Sequence, residues 1–472
     1  LYLYYFVLKD GGNMTTILTE QENKTFYRQL ATVGIPVLIQ QLIVVGLNLV
    51  DTIMVGKISA NALASVGAAN QIYFMYSVVM FGIFSGAAVY TVQYWGIRDL
   101  KSLRKIIGID YVMCVAITVP VVIFAFIASP LLMSFFTDDS EVIALGIDYM
   151  RIACFSYIFS GMTFSISYNS RALIMLKIPT VINAVAILIN IVLNYGLIYG
   201  NLGLPEMGVR GAALATLTAR IIECAAMFSY IYIAKDHPLG AKFSEFMSFG
   251  KDLYKSVMKT AIPVICNEGL WALSVTMVFA AYGKIGPAAL AIVQVANTIT
   301  EVFQTAYAGV SNASAVIVGQ ALGQGKVEHA YIYSKRILNF TWVLNVFMTL
   351  LLVVIREPIA DIYDFDAETT SLLLSSMFIF AIALTPKMLA YVIICGILRA
   401  GGDTLYCMFL DVAFNMIMQV PLAYLSVLVF EMSLPMAIAM VAISDVIKVF
   451  FCYKRYFSKK WVNIFTGVEA EK

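Results

Sequence analysis

Long apolar runs, each about the length of a bilayer-crossing helix, follow one another along this 472-residue chain with short polar interruptions. A helix needs about 20 apolar residues to cross the hydrocarbon, and the runs divide into twelve spans. In the first half these cover 31–53, 67–90, 106–128, 146–168, 180–200 and 209–233. In the second they cover 258–281, 292–318, 336–356, 373–397, 405–427 and 434–456.

The pattern is written twice. Gly34–Gly96 recurs as Ala261–Gly323: Ile35-Pro36-Val37 returns as Ile262-Pro263-Val264, Gly56-Lys57-Ile58 as Gly283-Lys284-Ile285, and Ala62-Leu63-Ala64 as Ala289-Leu290-Ala291. Asn70, Gln93 and Gly96 return as Asn297, Gln320 and Gly323, all at 263 − 36 = 227 residues. Further on, Arg171 corresponds to Arg399 at 399 − 171 = 228. Half the chain is one repeat unit, and six spans per unit make both copies enter the membrane in the same sense, related by an axis along its normal. The expected fold is an all-α polytopic membrane protein, with twelve transmembrane helices in two six-helix lobes related by pseudo-two-fold symmetry across a shared cavity. Its parts are an N-terminal segment (1–30), an N-lobe (31–234), a linker (235–257), a C-lobe (258–456) and a tail (457–472).

Composition agrees: 61% of residues are hydrophobic, 13% are charged and the mean hydropathy is +0.85, outside the range of soluble chains. A net charge of +2 gives no reason to expect a nucleic-acid partner. The seven cysteines stand singly in apolar runs without a CxxC pair, against both a disulfide framework and a zinc site. Residues 1–13 lack a cationic start, a long apolar centre and a cleavage site, so a signal peptide is not expected and Met14 reads as the native start.

Lys and Arg set orientation. Loop 2–3 carries Arg98, Lys101, Arg104 and Lys105, loop 4–5 Arg171 and Lys177, and loop 8–9 Lys326, Lys335 and Arg336. The linker carries Lys235, Lys242, Lys251, Lys255 and Lys259, and the tail Lys454, Arg455, Lys459 and Lys460. Loops 3–4, 9–10 and 11–12 are acidic (Asp138, Asp139 and Glu141; Asp361, Asp364, Asp366 and Glu368; Glu431). Both termini and the even-numbered loops are therefore expected in the cytoplasm, with the linker as a hinge or tether.

Charges inside hydrocarbon cost several kcal/mol unless they face a partner or a wet cavity. Asn48 and Asp51 share a face of span 1, Asn190 and Asn194 share a face of span 5, and Thr216 lies in span 6. Together they offer one carboxylate, neutral oxygens and a hydroxyl, a set suited to a proton or Na⁺; the asparagines alone would equally serve as interhelical glue. Pro36 kinks span 1, either as a static bend or as a joint coupled to Asp51. The second lobe has Glu268 in span 7, Gln294, Asn297 and Glu301 in span 8, and Lys387 in span 10. Glu268 takes the place of Gln41 at the 227 offset and Asp51 that of Val278, so the lobes differ chemically. Glu268 and Lys387 lie at similar depth, roughly 10 residues from the cytoplasmic end, and are expected to pair in one transport state. Arg220 with Glu223 and Asp445 with Lys448 read as structural ion pairs at equivalent points of the repeat. Asp110, Arg151 and Asp411, near span ends, are expected at the interface.

The runs IPVLIQQLIVVGLNLVDTIMVGKISANALASVG and IPVICNEGLWALSVTMVFAAYGKIGPAALA, with VGQALG at Val318–Gly323 and LRAGGDT at Leu398–Thr404, resemble the multidrug and toxic compound extrusion (MATE) family, closest to its bacterial NorM-like members. The resemblance spans Thr25 to Trp461. It implies an exporter of organic cations, working as a secondary antiporter against H⁺ or Na⁺, with no other cofactor, as a monomer in the bacterial inner membrane. Asp51 matches the family's first-helix acid, Pro36 its bending proline, Asn190 and Thr216 its span-5 and span-6 partners, and Glu268 its seventh-helix glutamate. Two positions depart: Asn194 stands where some members have a second aspartate, and Met388 where NorM-type members carry a tenth-helix aspartate.

Two other classes are weighed. A flippase of lipid-linked or amphipathic metabolites would share the two-lobed layout but calls for a cationic cavity, for which the spans offer Lys387, Arg220 and Lys448. An intramembrane enzyme is not expected, since no span contains histidine or a paired-acid motif.

Overall fold

The computed structural model describes residues 20–234, 237–361 and 367–468, without the side chains of 20–23, 45, 47–49 and 287. The expected start at Met14, the side chain of Asn48, and Lys235, Asp364 and Asp366 lie outside the described residues. The helices in chain order are α1 Glu20–Gly56, α2 Ala60–Gly96, α3 Leu100–Ile127, α4 as the pair Ser140–Ala153 and Ser156–Ala172, α5 Lys177–Tyr199 and α6 Gly208–Ile233. Then come α7 Lys251–Gly283, α8 Pro287–Gly323, α9 Val327–Ala360, α10 Ala367–Leu398, α11 Thr404–Val429 and α12 Leu434–Phe457. Among the described residues nine are long and apolar enough to cross a membrane, and α4 makes a tenth when its pieces count as one. The 37-residue α1 and α8 complete the twelve.

Most helices outrun the apolar spans, and polar caps fix the starts of three of them, α2, α3 and α4. Ser59 Oγ accepts from Ala62 N at 3.0 Å, and the Asp99 and Asp139 carboxylates accept from Ser102 N and from Glu141 and Val142 N. Span 4, read as continuous, is instead bent by 51° between Ala153 and Ser156. Span 10 ends in π-helical turns at Val392–Leu398, and span 11 contains two more stretches, Val412–Gln419 and Leu425–Val429. Such turns carry an extra residue and re-aim the side chains beyond them. Large apolar side chains such as Ile127, Leu188, Val354 and Ile417 stand exposed, the surface that a bilayer covers.

Both described chain ends and the loops after even-numbered helices lie at one end of the bundle, here called the base; the other end is the mouth. At the base the lobes meet backbone to backbone. A Cβ on Gly96 would stand 2.5 Å from Gln320 O, and one on Gly323 would stand 2.2 Å from Gln93 O. These residues are repeat partners, so the α2–α8 crossing is reciprocal about the pseudo-axis. Gly86 closes on Ala261 of α7, and Gly34 on Gly309. Hydrogen bonds reinforce the contact: Gln324 Nε2 to Gly96 O (3.0 Å), Gln320 Nε2 to Ala172 O (3.0 Å), Tyr90 OH to Ser256 O (2.9 Å) and Thr260 Oγ1 to Gly86 O (3.2 Å). Small residues that let backbones approach are the usual means of joining helices in lipid.

The linker does not hang free. Its one-turn helix Phe243–Phe246 lies on α3, with Phe246 buried and its carbonyl in the place a Cβ of Gly108 would take. Arg104 pairs with Glu245 at 3.2 Å. Gly86→Val should force α2 off α7 and lower stability by about 1–3 kcal/mol, seen as a lower unfolding midpoint of the detergent-solubilised protein. Gly269→Val, with open space around it, should shift that midpoint far less.

Candidate functional site

In the N-lobe, one helix turn of spacing brings Asn190 and Asn194 to the same face of α5, opposite Asp51 of α1 and Thr216 of α6. Asn194 Nδ2 donates to Asp51 Oδ1 at 2.7 Å and to Asn190 Oδ1 at 3.3 Å, and Asn190 Nδ2 reaches Thr216 Oγ1 at 3.5 Å. Both asparagines are buried, while Asp51 stays partly exposed. Asn194 Oδ1 is buried without a partner among the described residues. The nearby base, Arg220, is spent on Glu223 at 2.7 Å, which also accepts from Asn183 Nδ2 at 2.8 Å. The four expected N-lobe residues therefore form one cluster, and what touches Asp51 there is a neutral amide. Pro36 lies inside α1, beside the Gly34–Gly309 contact.

The C-lobe bounds a cavity of about 500 Å³, lined also by α1 and α2 and located toward the mouth from the base contacts. Its walls include Trp271, Phe279, Phe380 and Tyr391, with Glu268, Asn297 and Lys387 among the expected residues. Gln294 and Glu301 are exposed on α8 and do not line it. Glu268 pairs with Arg399 at 2.7 Å rather than with Lys387. Arg399 directly follows the π turns that end α10.

Three further expectations need correction. Lys448 does not pair with Asp445 on its own helix; it forms an ion pair with Asp411 of α11 and donates to Asn415 Oδ1 at 3.3 Å, while Asp445 accepts from Gln419 Nε2 at 2.9 Å. Asp411 is buried in the cavity wall, not interfacial, and also accepts from Asn267 Nδ2 at 2.9 Å. Asp110 is 1% exposed and accepts from Asn169 Nδ2 at 2.9 Å. For Asp110 the helix starts at Leu100, ahead of its apolar run at 106, so the residue lies well inside it; Asp411 and Lys448 instead find each other across two helices, which spacing along one helix does not show. Arg151 is exposed, as expected.

Sequence reasoning missed Arg399, Asp411, Asn415 and Gln419 as cavity residues. The repeat held a signal for the first: Arg399 is the counterpart of Arg171 (399 − 171 = 228), and Glu268 is that of Gln41 (268 − 41 = 227), next to Gln40. Arg171 Nη2 donates to Gln40 Oε1 at 3.0 Å, the neutral counterpart of the ionic Arg399–Glu268 pair.

The MatE family model matches residues 36–196 and again 263–425, starting each time at the repeated proline. The chain belongs to the MatE family. Members of this transporter family are found among its relatives along nearly the whole length. It is 25% identical over 467 residues to YisQ, an uncharacterized transporter of Bacillus subtilis, covering 97% of this chain and 99% of that one. It is 23% identical over 430 residues to a probable multidrug resistance protein NorM of Thermotoga maritima, covering 88% and 89%. A solved structure of MATE in the bent conformation superposes with a TM-score of 0.82 at 17% identity, covering 92% of this chain and 96% of that one. The twelve-helix, two-lobed fold is thus that of the MATE transporters.

Removing one member of a buried ion pair leaves a charge with no compensation. Asp411→Asn should cost about 3–5 kcal/mol in this MATE protein, measured by thermal unfolding in detergent. Adding Lys448→Met to it should restore most of the loss; additive losses would show that the two residues do not act as a pair.

Proposed function

We propose that this protein is a multidrug exporter of the plasma membrane: a secondary antiporter that expels amphipathic organic cations in exchange for inward-moving H⁺ or Na⁺, through alternation of its two lobes. The observation that carries the reading is the setting of Asp51. A carboxylate within the hydrocarbon span that is met by neutral amides needs a charge from elsewhere, and a proton or a small hard cation supplies it. Asn190, Asn194 and Thr216 add the oxygens such a cation would use. Asp110 also has an amide partner but is buried, which favours Asp51 as the exchanging group.

The base, rich in Lys and Arg, is the cytoplasmic side in this reading, with both termini there, so the closed base and the cavity toward the mouth make an outward-facing state. Residues 31–234 and 258–456 are the moving lobes, working as a monomer, and Pro36 sits where α1 can bend as Asp51 changes occupancy. The aromatic walls suit flat cations, and Glu268, Asn297 and Lys387 set the polar contacts around them. The NorM relatives, named for multidrug resistance, support the substrate class. A flippase is less well supported: of the cavity's basic groups, Arg399 and Lys448 are already bound to carboxylates.

Coupling requires that ion and drug prefer different states. In proteoliposomes loaded with a fluorescent organic cation, Asp51→Asn should cut gradient-driven efflux at least tenfold, as expected when an interaction of about 1.4 kcal/mol or more is lost. Glu268→Gln should lower it less. Comparing a Na⁺ gradient with a pH gradient identifies the ion, and undiminished efflux in Asp51→Asn would rule out this coupling site.

A further inference from the structure

The C-terminal segment beyond α12 folds over the base and touches both lobes. On its own lobe it is held three times: the fully buried Trp461 donates its indole N–H to Tyr456 O at 3.0 Å, Asn463 Nδ2 donates to Gly401 O at 2.7 Å, and Thr466 Oγ1 to Gly323 O at 2.8 Å. Gly401 has room for this because a Cβ there would stand 2.1 Å from Trp461 O. On the other lobe, the side-chain amide of Gln93 grips the segment's main chain in both directions. Its Nε2 donates to Asn463 O at 3.0 Å and its Oε1 accepts from Phe465 N at 2.8 Å. Tyr94 OH donates to Phe465 O at 3.3 Å, and the Phe465 ring lies 4.5 Å from that of Tyr90.

We propose that Trp461–Thr466 is a latch on the base and that Gln93 is its catch, a positioning residue that holds the lobes in the base-closed state. This rests on the lobe alternation proposed above. Comparison across the repeat separates a latch from a tail that merely packs. Gln320, the partner of Gln93, reaches directly across the lobe boundary to Ala172 O. The repeat partner of Ala172 is Ala400 (400 − 172 = 228), yet Gln93 bonds to the tail instead. Of this pair of repeat-related glutamines, one ties the lobes directly and the other ties them through a segment that can detach. Its N-lobe contacts all fall on one stretch of α2, Tyr90 to Tyr94, so any movement that separates α2 from the C-lobe breaks them together. Each hydrogen bond adds a modest net increment, and together they bias the base toward closure by roughly tenfold or more.

The test is amide hydrogen exchange on the full-length protein in lipid nanodiscs without substrate, for wild type, Gln93→Leu, Phe465→Ala and the double variant. Peptides covering 86–96 and 317–326 should exchange roughly tenfold faster in each single variant and no faster again in the double, with α5 and α9 unchanged. Gln93→Glu keeps the acceptor for Phe465 N but not the donor to Asn463 O, and should fall between. Leucine at 93 also alters packing on Gly323, so a chain ending at Asn463, which removes the Phe465 contacts and leaves α2 intact, must speed the same peptides. Wild-type exchange at the base in Phe465→Ala or in the shortened chain, or effects that multiply in the double variant, overturns the latch. Because no substrate is involved, a protein with a working latch and no export of organic cations would be recognised as such.

Discussion

At the base of the molecule Gly96 lies on the carbonyl of Gln320 and Gly323 on that of Gln93, with no space for a side chain at either place. Lipid gives two helices little hydrophobic reason to associate, so close backbone packing and hydrogen bonds must hold the lobes together. Because each pair is the image of the other under the repeat, the contact marks the pseudo-axis itself. From there the helices lead into the cavity in the C-lobe wall. The large cavity and the tight contact are thus two consequences of one crossing, tight where glycines allow it and open beyond them.

The lobes share a frame and fill it differently. Arg220 and Lys448 are repeat partners, and each is joined to an acid. In the N-lobe the acid is Glu223, one turn away on the same helix, steadied by Asn183. In the C-lobe it is Asp411, which stands at the position of Asn183 itself (411 − 183 = 228). Glu268 is likewise held by Arg399, where the N-lobe has the neutral Gln40 beside Arg171. Fixed counter-ions keep Glu268 and Asp411 balanced within the protein. Asp51 is met by the neutral amide of Asn194 instead of a base. After duplication the acids stand at different places in the two lobes, two of them in the C-lobe wall held by bases and Asp445 there met by the amide of Gln419.

Much of the fold was legible because hydrophobic length and internal repetition are coarse signals that survive without coordinates. Twelve spans, two lobes and the pairing of Gln93 with Gln320 could all be read from the residues, and the α5 asparagines share a face for reasons of helical pitch alone. The C-lobe partnerships were less readable. Lys448 and Asp445 have the spacing of an intrahelical pair, yet Asp411 competes from α11, and spacing along one helix says nothing about a neighbour. The π turns before Arg399 and around Asn415 and Gln419 leave no mark in the hydropathy pattern, although they decide which side chains reach the cavity. Depth was misjudged for Asp110 because its helix, capped by Asp99, starts at Leu100, ahead of the apolar run at 106; Asp411 lies in the wall because Lys448 and Asn267 meet it there, partners that its own helix does not reveal.

The way the linker lies on α3 bears on how this protein can be handled as two polypeptides. Phe246 is embedded between lobe and linker, and Arg104 is tied to Glu245, so residues up to that point belong physically to the first half although they follow its last membrane helix. A gene divided directly after α6 would strip a piece of packing from one product and leave it as a greasy overhang on the other. A division placed later, between Phe249 and the start of α7 at Lys251, would keep Glu245 and Phe246 with the half they pack on.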